Sequence, residues 1–248
     1  PRDRVLEELT FPSDPRLRVK VSDQVGSTQS QLPLEVNDAV LTYIKFFTER
    51  GRGTLLAGFR RSGKYRQMIQ RVLNEEGAPQ ELIFLAQVES GFQPRIVSWA
   101  RCAGMWQFLG ATGTEYKLKQ DGIVDERLDP EKATRAGARH LLDLYRQFGD
   151  WYLAMAAYNC GRGCVEAAVR RSGYADFWKL RELNMLPRET ANYVPAIVAL
   201  TIISKNAADY GVANVAMDPP LDHDTIEVSE ATNLDLIAAA TDRTLEEI

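Results

Sequence analysis

Histidine and cysteine are scarce in this 248-residue chain, which has His140 and His223 and only Cys102, Cys160 and Cys164. No cysteine pair stands at zinc-site spacing with histidines, so no metal site is expected. His140 reads as a plain surface or core histidine. The odd cysteine count leaves at least one thiol free or paired between chains. Cys160 and Cys164, four apart, would share one helix face and read best as small buried residues. No apolar run approaches the ~18–20 residues that span a bilayer. Positive charge is not in excess: a formal charge of −4 argues against a general nucleic-acid binder. The chain opens at Pro1 with neither Met nor a signal-type stretch, so it reads as an excised or processed fragment, and the missing leader says little about compartment. There is no internal repeat, no low-complexity tract and no run of alternating strands across 36–211.

What is present is ordinary globular composition, 45% hydrophobic and 26% charged, enough for one large domain or two small ones. Residues 1–34, with Pro12, Pro15 and Pro33, read as an extended N-terminal arm. From Asn37, a candidate cap, apolar residues recur at helical spacing: Val36, Val40, Ile44, Phe47. Further helices are expected over about 53–61, from Tyr65 to a stop at Gly77, and from Pro79 to Glu89. Residues 91–103 read as irregular and 104–112 as a short helix. Asp129-Pro130 starts a helix that ends at Gly149; others follow over 150–159, 162–171 and 187–208, the last with Pro195 predicting a kink. The class is mainly α across a domain at 35–211. Beyond Pro219-Pro220, a strand at 225–228 and helices from Leu234 and Thr244 read as the start of a small α+β module, 222–248, cut before it is complete.

Glu89 ends the apolar run Leu82, Ile83, Phe84, Leu85, Ala86, Val88. Burial disfavours a carboxylate, and a neutral carboxyl near pH 7 is what a general acid requires. Alone, such a residue is usually a cap. Four segments change that weighting: Val88-Glu89-Ser90-Gly91-Phe92, Ala103-Gly104-Met105-Trp106-Gln107-Phe108, Ala157-Tyr158-Asn159-Cys160-Gly161 and Glu189-Thr190-Ala191-Asn192-Tyr193-Val194.

In this order they resemble the lysozyme-like lytic transglycosylases, in particular the membrane-bound lytic murein transglycosylase D group, over roughly 35–210. The resemblance implies a lysozyme-like fold of the goose-type/SLT kind that needs no cofactor. It implies non-hydrolytic cleavage of the bond between N-acetylmuramic acid and N-acetylglucosamine in peptidoglycan glycan strands, leaving 1,6-anhydro ends. One carboxyl group acts as acid and then as base. By motif position Glu89 is that group. Ser90, Gly104, Met105, Gln107, Tyr158 and Asn159 contact or line the sugar cleft, and Glu189 and Tyr193 support it from the last helix. Gly104 would admit a sugar close to the backbone, and Met105, Trp106 and Phe108 would offer apolar faces. Trp106 and Phe108, two apart, do not share a helix face, so at least one belongs to the core. The expected place is the periplasm or cell envelope, with membrane attachment only through a region preceding Pro1, and 222–248 resembles the start of a LysM module. All three cysteines would lie around one cleft, where an oxidising envelope would permit a Cys102–Cys164 disulfide.

Arg60, Arg61, Lys64, Arg66 and Arg71 read as a solvated helix face, whereas Arg95 and Arg101 flank the expected cleft and face muramyl-peptide carboxylates. A hydrolytic muramidase is the rival enzyme and would draw its second carboxylate from Glu115, Asp121 or Asp125. A binding-only scaffold is the rival of another class, and it has no use for a buried acid.

Overall fold

The helices begin and end where local chemistry dictates. The computed structural model describes residues 14–221, 226–245 and 248. Helix α1 (Pro15–Ser27) starts at Asp14, whose carboxylate accepts from the N–H groups of Arg16 and Leu17. Asn37 caps α2 (Asp38–Thr48) through the Val40 N–H. Helix α3 (Arg52–Glu76) runs to Gly77 at φ 72°. A 3-10 turn (Gln80–Leu82) leads into α4 (Ile83–Ser90), closed by Gly91 at φ 60°. Then come α5 (Gly110–Glu115), a 3-10 turn (Glu126–Leu128) and α6 (Pro130–Phe148), which Asp129 caps and Gly149 ends. Asp150 caps α7 (Trp151–Cys160). Helices α8 (Arg162–Ser172), α9 (Phe177–Glu182) and α10 (Arg188–Lys205) follow, then a 3-10 turn (Ala207–Tyr210) and the short α11 (Leu234–Thr241).

Helix α10 is the central post. From Thr190 to Ile203 all but one of its residues are buried, so it presents no solvated stripe, and it packs against α2, α4 and α7. Pro195 inside it cannot donate to the carbonyl of Ala191, and Arg181 of α9 supplies that donor through Nε at 2.9 Å. Helix α4 is buried along all eight residues, wedged between α3 and α10. Helices α6 and α3 pack side by side. Arg135 and Arg139 of α6 pair with Glu76 of α3 at 2.8 Å each, along the edge of that contact. Among the described residues no helix is long and apolar enough to cross a membrane.

Four expectations are corrected. The N-terminal segment is not an extended arm where it is described: α1 occupies Pro15–Ser27, because Pro15 stands in the first turn and initiates rather than breaks. The helices expected at 53–61 and 65–77 are one. Two of its glycines are close-approach points: a Cβ on Gly58 would lie 2.7 Å from Gln87 Nε2, and one on Gly63 would overlap the Asp218 carbonyl. Residues 104–108 are a tight loop, not a helix. Backbone bonds join Ala103 and Phe108 in both directions at 3.0 Å, and helix α5 starts only at Gly110. Residues 226–228 are not a strand, Thr225 lies outside the described residues, and the helix expected from Thr244 is absent at Thr244 and Leu245, with 246–247 outside them too.

Candidate functional site

Glu89 is 4% exposed at the last turn of α4, and Tyr193 on α10 donates its hydroxyl to Glu89 Oε1 at 2.7 Å. That bond exists because α10 packs across α4, and Tyr193 is itself fully buried. The carboxyl borders a small cavity walled by Cys102, Gln107, Phe108, Thr112, His140, Tyr158 and Asn159. Among the described residues no second carboxyl lines it. Asp121 caps its own turn through the N–H groups of Ile123 and Val124, which hold its pKa down to about 2. Asp125 pairs with Arg127 at 2.7 Å, and Glu115 is exposed.

The loop 104–108 is the cavity's second wall, and side chains grip it by its carbonyls. Ser90 donates to the Met105 carbonyl at 2.8 Å and Tyr158 to that of Trp106 at 2.8 Å. Gln107 Nε2 reaches the Gly104 carbonyl at 2.8 Å, and Arg127 Nη1 reaches that of Phe108 at 3.1 Å. Gly104 takes φ 85°, and a Cβ there would collide with the Arg127 carbonyl. Its glycine therefore serves loop-on-loop contact. Trp106 is fully buried, its indole N–H donating to Thr134 at 2.9 Å and its ring seated against Gly137. Met105 and Phe108 are buried as well, at 0% and 2% exposure, so none of the three offers a broad stacking face.

On the far side Asn159 is clamped. Its amide N–H reaches Glu189 at 2.9 Å, and Thr190 donates to its carbonyl oxygen at 2.6 Å. Glu189 lies in the first turn of α10, so one helix positions both Glu89, through Tyr193, and Asn159. Tyr158 stands edge-on to Phe108, with ring centroids 6.2 Å apart, and packs on His140 at 5.1 Å.

Of the residues expected at the site, Glu89, Gln107, Tyr158 and Asn159 reach the cavity, while Ser90, Met105, Gly104, Tyr193 and Glu189 hold those that do. His140 and Thr112 also line the cavity, and neither falls within the four motif segments. His140 is wedged among Tyr116, Phe108 and Tyr158 with its Nδ1 buried and unpartnered; burial pulls its pKa down to about 4. The disulfide joins Cys160 to Cys164, with Cα atoms 5.9 Å apart, and Cys102 is the free thiol, which corrects the Cys102–Cys164 pairing.

Residues 67–181 match the transglycosylase SLT domain. Membrane-bound lytic murein transglycosylase D of Escherichia coli (strain K12) is 40% identical over 157 residues, covering 61% of this chain and 34% of that protein. The chain thus spans about a third of the length of that relative. The crystal structure of the 70 kDa soluble lytic transglycosylase of Escherichia coli matches with a TM-score of 0.53 at 20% identity, covering 82% of this chain and 32% of that one. The complex of the 70-kDa soluble lytic transglycosylase with bulgecin A matches with a TM-score of 0.52 at 19% identity, covering 86% and 38%. Residues 67–181 thus match a transglycosylase SLT domain, and the chain has the fold of those solved structures.

Proposed function

We propose that the protein is a peptidoglycan lytic transglycosylase that cleaves the β-1,4 bond between N-acetylmuramic acid and N-acetylglucosamine without water, closing the muramic acid C6 hydroxyl onto C1. The observation that carries this reading is a buried carboxyl, Glu89, held by Tyr193 at 2.7 Å in a cavity that no second carboxyl among the described residues lines. An inverting hydrolase needs a base across the sugar, and a conventional retaining one needs a carboxylate nucleophile. With one carboxyl, the same group gives its proton to the leaving oxygen and then takes one from the C6 hydroxyl. An intramolecular hydroxyl held near C1 outcompetes water through effective concentration, an advantage worth several kcal/mol.

Roles follow from position. Glu89 is the acid and base. Tyr193 steadies the carboxylate as charge develops. Gln107, Tyr158 and Asn159 face the sugars, and Glu189 and Thr190 orient Asn159. Peptidoglycan as substrate and an envelope location are in keeping with the membrane-bound murein enzyme of 40% identity. The test is mass spectrometry of muropeptides released from purified sacculi. The expected products end in 1,6-anhydro-muramic acid and resist borohydride. Reducible products heavier by one water would make the enzyme a muramidase.

A further inference from the structure

A cluster of four cationic side chains lies outside the Glu89 cavity. Arg60, Arg61 and Lys64 of α3 and Arg95 of the turn after α4 line a groove of about 810 Å³ that shares no lining residue with the cavity. Asp218 is the one carboxylate in its lining. Arg60 lies 3.5 Å from it, and Arg61 gives its Nε proton to the Gly91 carbonyl at 2.6 Å. Lys64 and Arg95 have no acidic partner among the described residues. The contrast with the cations farther along α3 and on α6 is sharp, for Arg71, Arg135 and Arg139 are all satisfied by glutamates. Four guanidinium and ammonium groups against one carboxylate repel one another. Burial and the neighbouring Arg60 both pull the Arg61 pKa below its ordinary value.

The groove is built, not incidental. Its third wall is the segment leaving the catalytic domain, fixed along α3 by Asp218 N–H to the Arg60 carbonyl at 2.9 Å and Leu221 N–H to the Lys64 carbonyl at 3.0 Å. Only a glycine at 63 admits that segment. The floor is apolar, from Phe92, Ile96 and Leu128. A second groove of about 530 Å³ continues from it past Lys64; it adds Lys117 but also the carboxylates of Glu126, Asp129 and Glu131, so the unbalanced charge is confined to the first groove.

We propose that this groove is an exosite for a short acidic peptide, its carboxylates meeting Lys64 and Arg95 and its aliphatic side chains lying on the half-buried Ile96. The proposal rests on the peptidoglycan reading, in which the natural occupant is the peptide stem borne by muramic acid. Phe92, three residues after Glu89, carries the chain from the catalytic helix directly into the groove wall.

The test uses the full chain and two probes: intact sacculi and the same sacculi stripped of stems by an amidase. In a Glu89→Gln background, Lys64→Glu with Arg95→Glu should weaken co-sedimentation with intact sacculi about tenfold at low salt, and the difference should shrink as salt is raised. Binding to stripped strands should stay within about twofold, and in the active enzyme turnover on intact sacculi should fall while turnover on stripped strands holds. Lys64→Gln with Arg95→Gln, intermediate in effect, guards against misfolding of the reversed pair. Equal loss on both probes, or loss on neither, overturns the exosite. If the active enzyme leaves both probes uncut while stem-dependent binding persists, the cleavage reading falls and the exosite stands.

Discussion

Removing one hydroxyl tests the proposed mechanism more closely than removing the acid. In Tyr193→Phe the ring remains and the bond to Glu89 Oε1 at 2.7 Å is lost. While Glu89 is protonated that bond is neutral, contributing about 0.5–1.5 kcal/mol; once the proton has left, it serves a carboxylate and contributes roughly 1.5–3 kcal/mol. About 1–1.5 kcal/mol therefore appears only as charge develops, which at tenfold per ~1.4 kcal/mol predicts a roughly five- to twelvefold fall in kcat. Loss of the carboxyl's fixed orientation adds to this, so the expected total is about ten- to a hundredfold. Tyr193 is fully buried and touches no sugar, so KM should not move. The assay is initial-rate release of muropeptides from sacculi, with a thermal melt to confirm folding. In a Glu89→Gln background the same substitution should change nothing further. A variant that retains more than half the wild-type kcat, or that loses activity through KM, refutes the role given to Tyr193.

Glu89→Gln should stay folded and lose at least ~10²–10⁴-fold in turnover, and retention of a tenth of wild-type rate on sacculi would remove Glu89 from the mechanism. Gly104→Ala places a Cβ against the Arg127 carbonyl at a φ of 85°, and should cost about 3 kcal/mol or more, lowering Tm by roughly 6–12 °C in calorimetry; an unchanged Tm would show that the loop yields. His140 takes up its proton in the unfolded chain near its ordinary pKa of 6.5 but in the folded protein only near 4, so stability is full above about pH 6.5 and is lost as pH falls toward 4, by about 3 kcal/mol. Denaturant titrations should show this slope in the wild type and a flatter one in His140→Gln, and parallel curves would disprove it.

The helices were legible because their signals are local. Asp129-Pro130 with Gly149 bounds α6 in sequence as in structure, and Asn37 caps as its residue type foretells. The division of α3 into two helices was a misreading, and tertiary contacts account for the small residues inside it. Gly58 and Gly63 are small because Gln87 and Asp218 press on them, and neither neighbour is close in sequence. The cysteines show the same limit. Spacing by four made Cys160 and Cys164 look like one helix face, but the chain leaves α7 at Gly161, φ 91°, and re-enters a helix at Arg162, which brings the two sulfurs together instead of stacking them.

At the site, residue types were legible and directions were not. The Gly-Met-Trp-Gln segment looks like a sugar platform, since it is rich in aromatic, amide and thioether groups. Its side chains mostly turn inward, and what it presents to neighbours is backbone: the carbonyls of Gly104, Met105, Trp106 and Phe108 each accept from a side chain, donated by Gln107, Ser90, Tyr158 and Arg127. Two of those donors, Ser90 and Tyr158, belong to the helices that also carry Glu89 and Asn159. The loop is therefore tied to the acid on one side and to the amide on the other, and a shift of either helix moves it. One-carboxyl chemistry depends on such ties more than two-carboxyl chemistry does. A single group must meet the leaving oxygen and then the C6 hydroxyl without a second carboxylate to share the work, so the wall opposite it has to be held to within about half an ångström. On the proposed mechanism the side chains that hold this wall serve the reaction by fixing it, and Ser90 and Arg127 do so without lining the cavity.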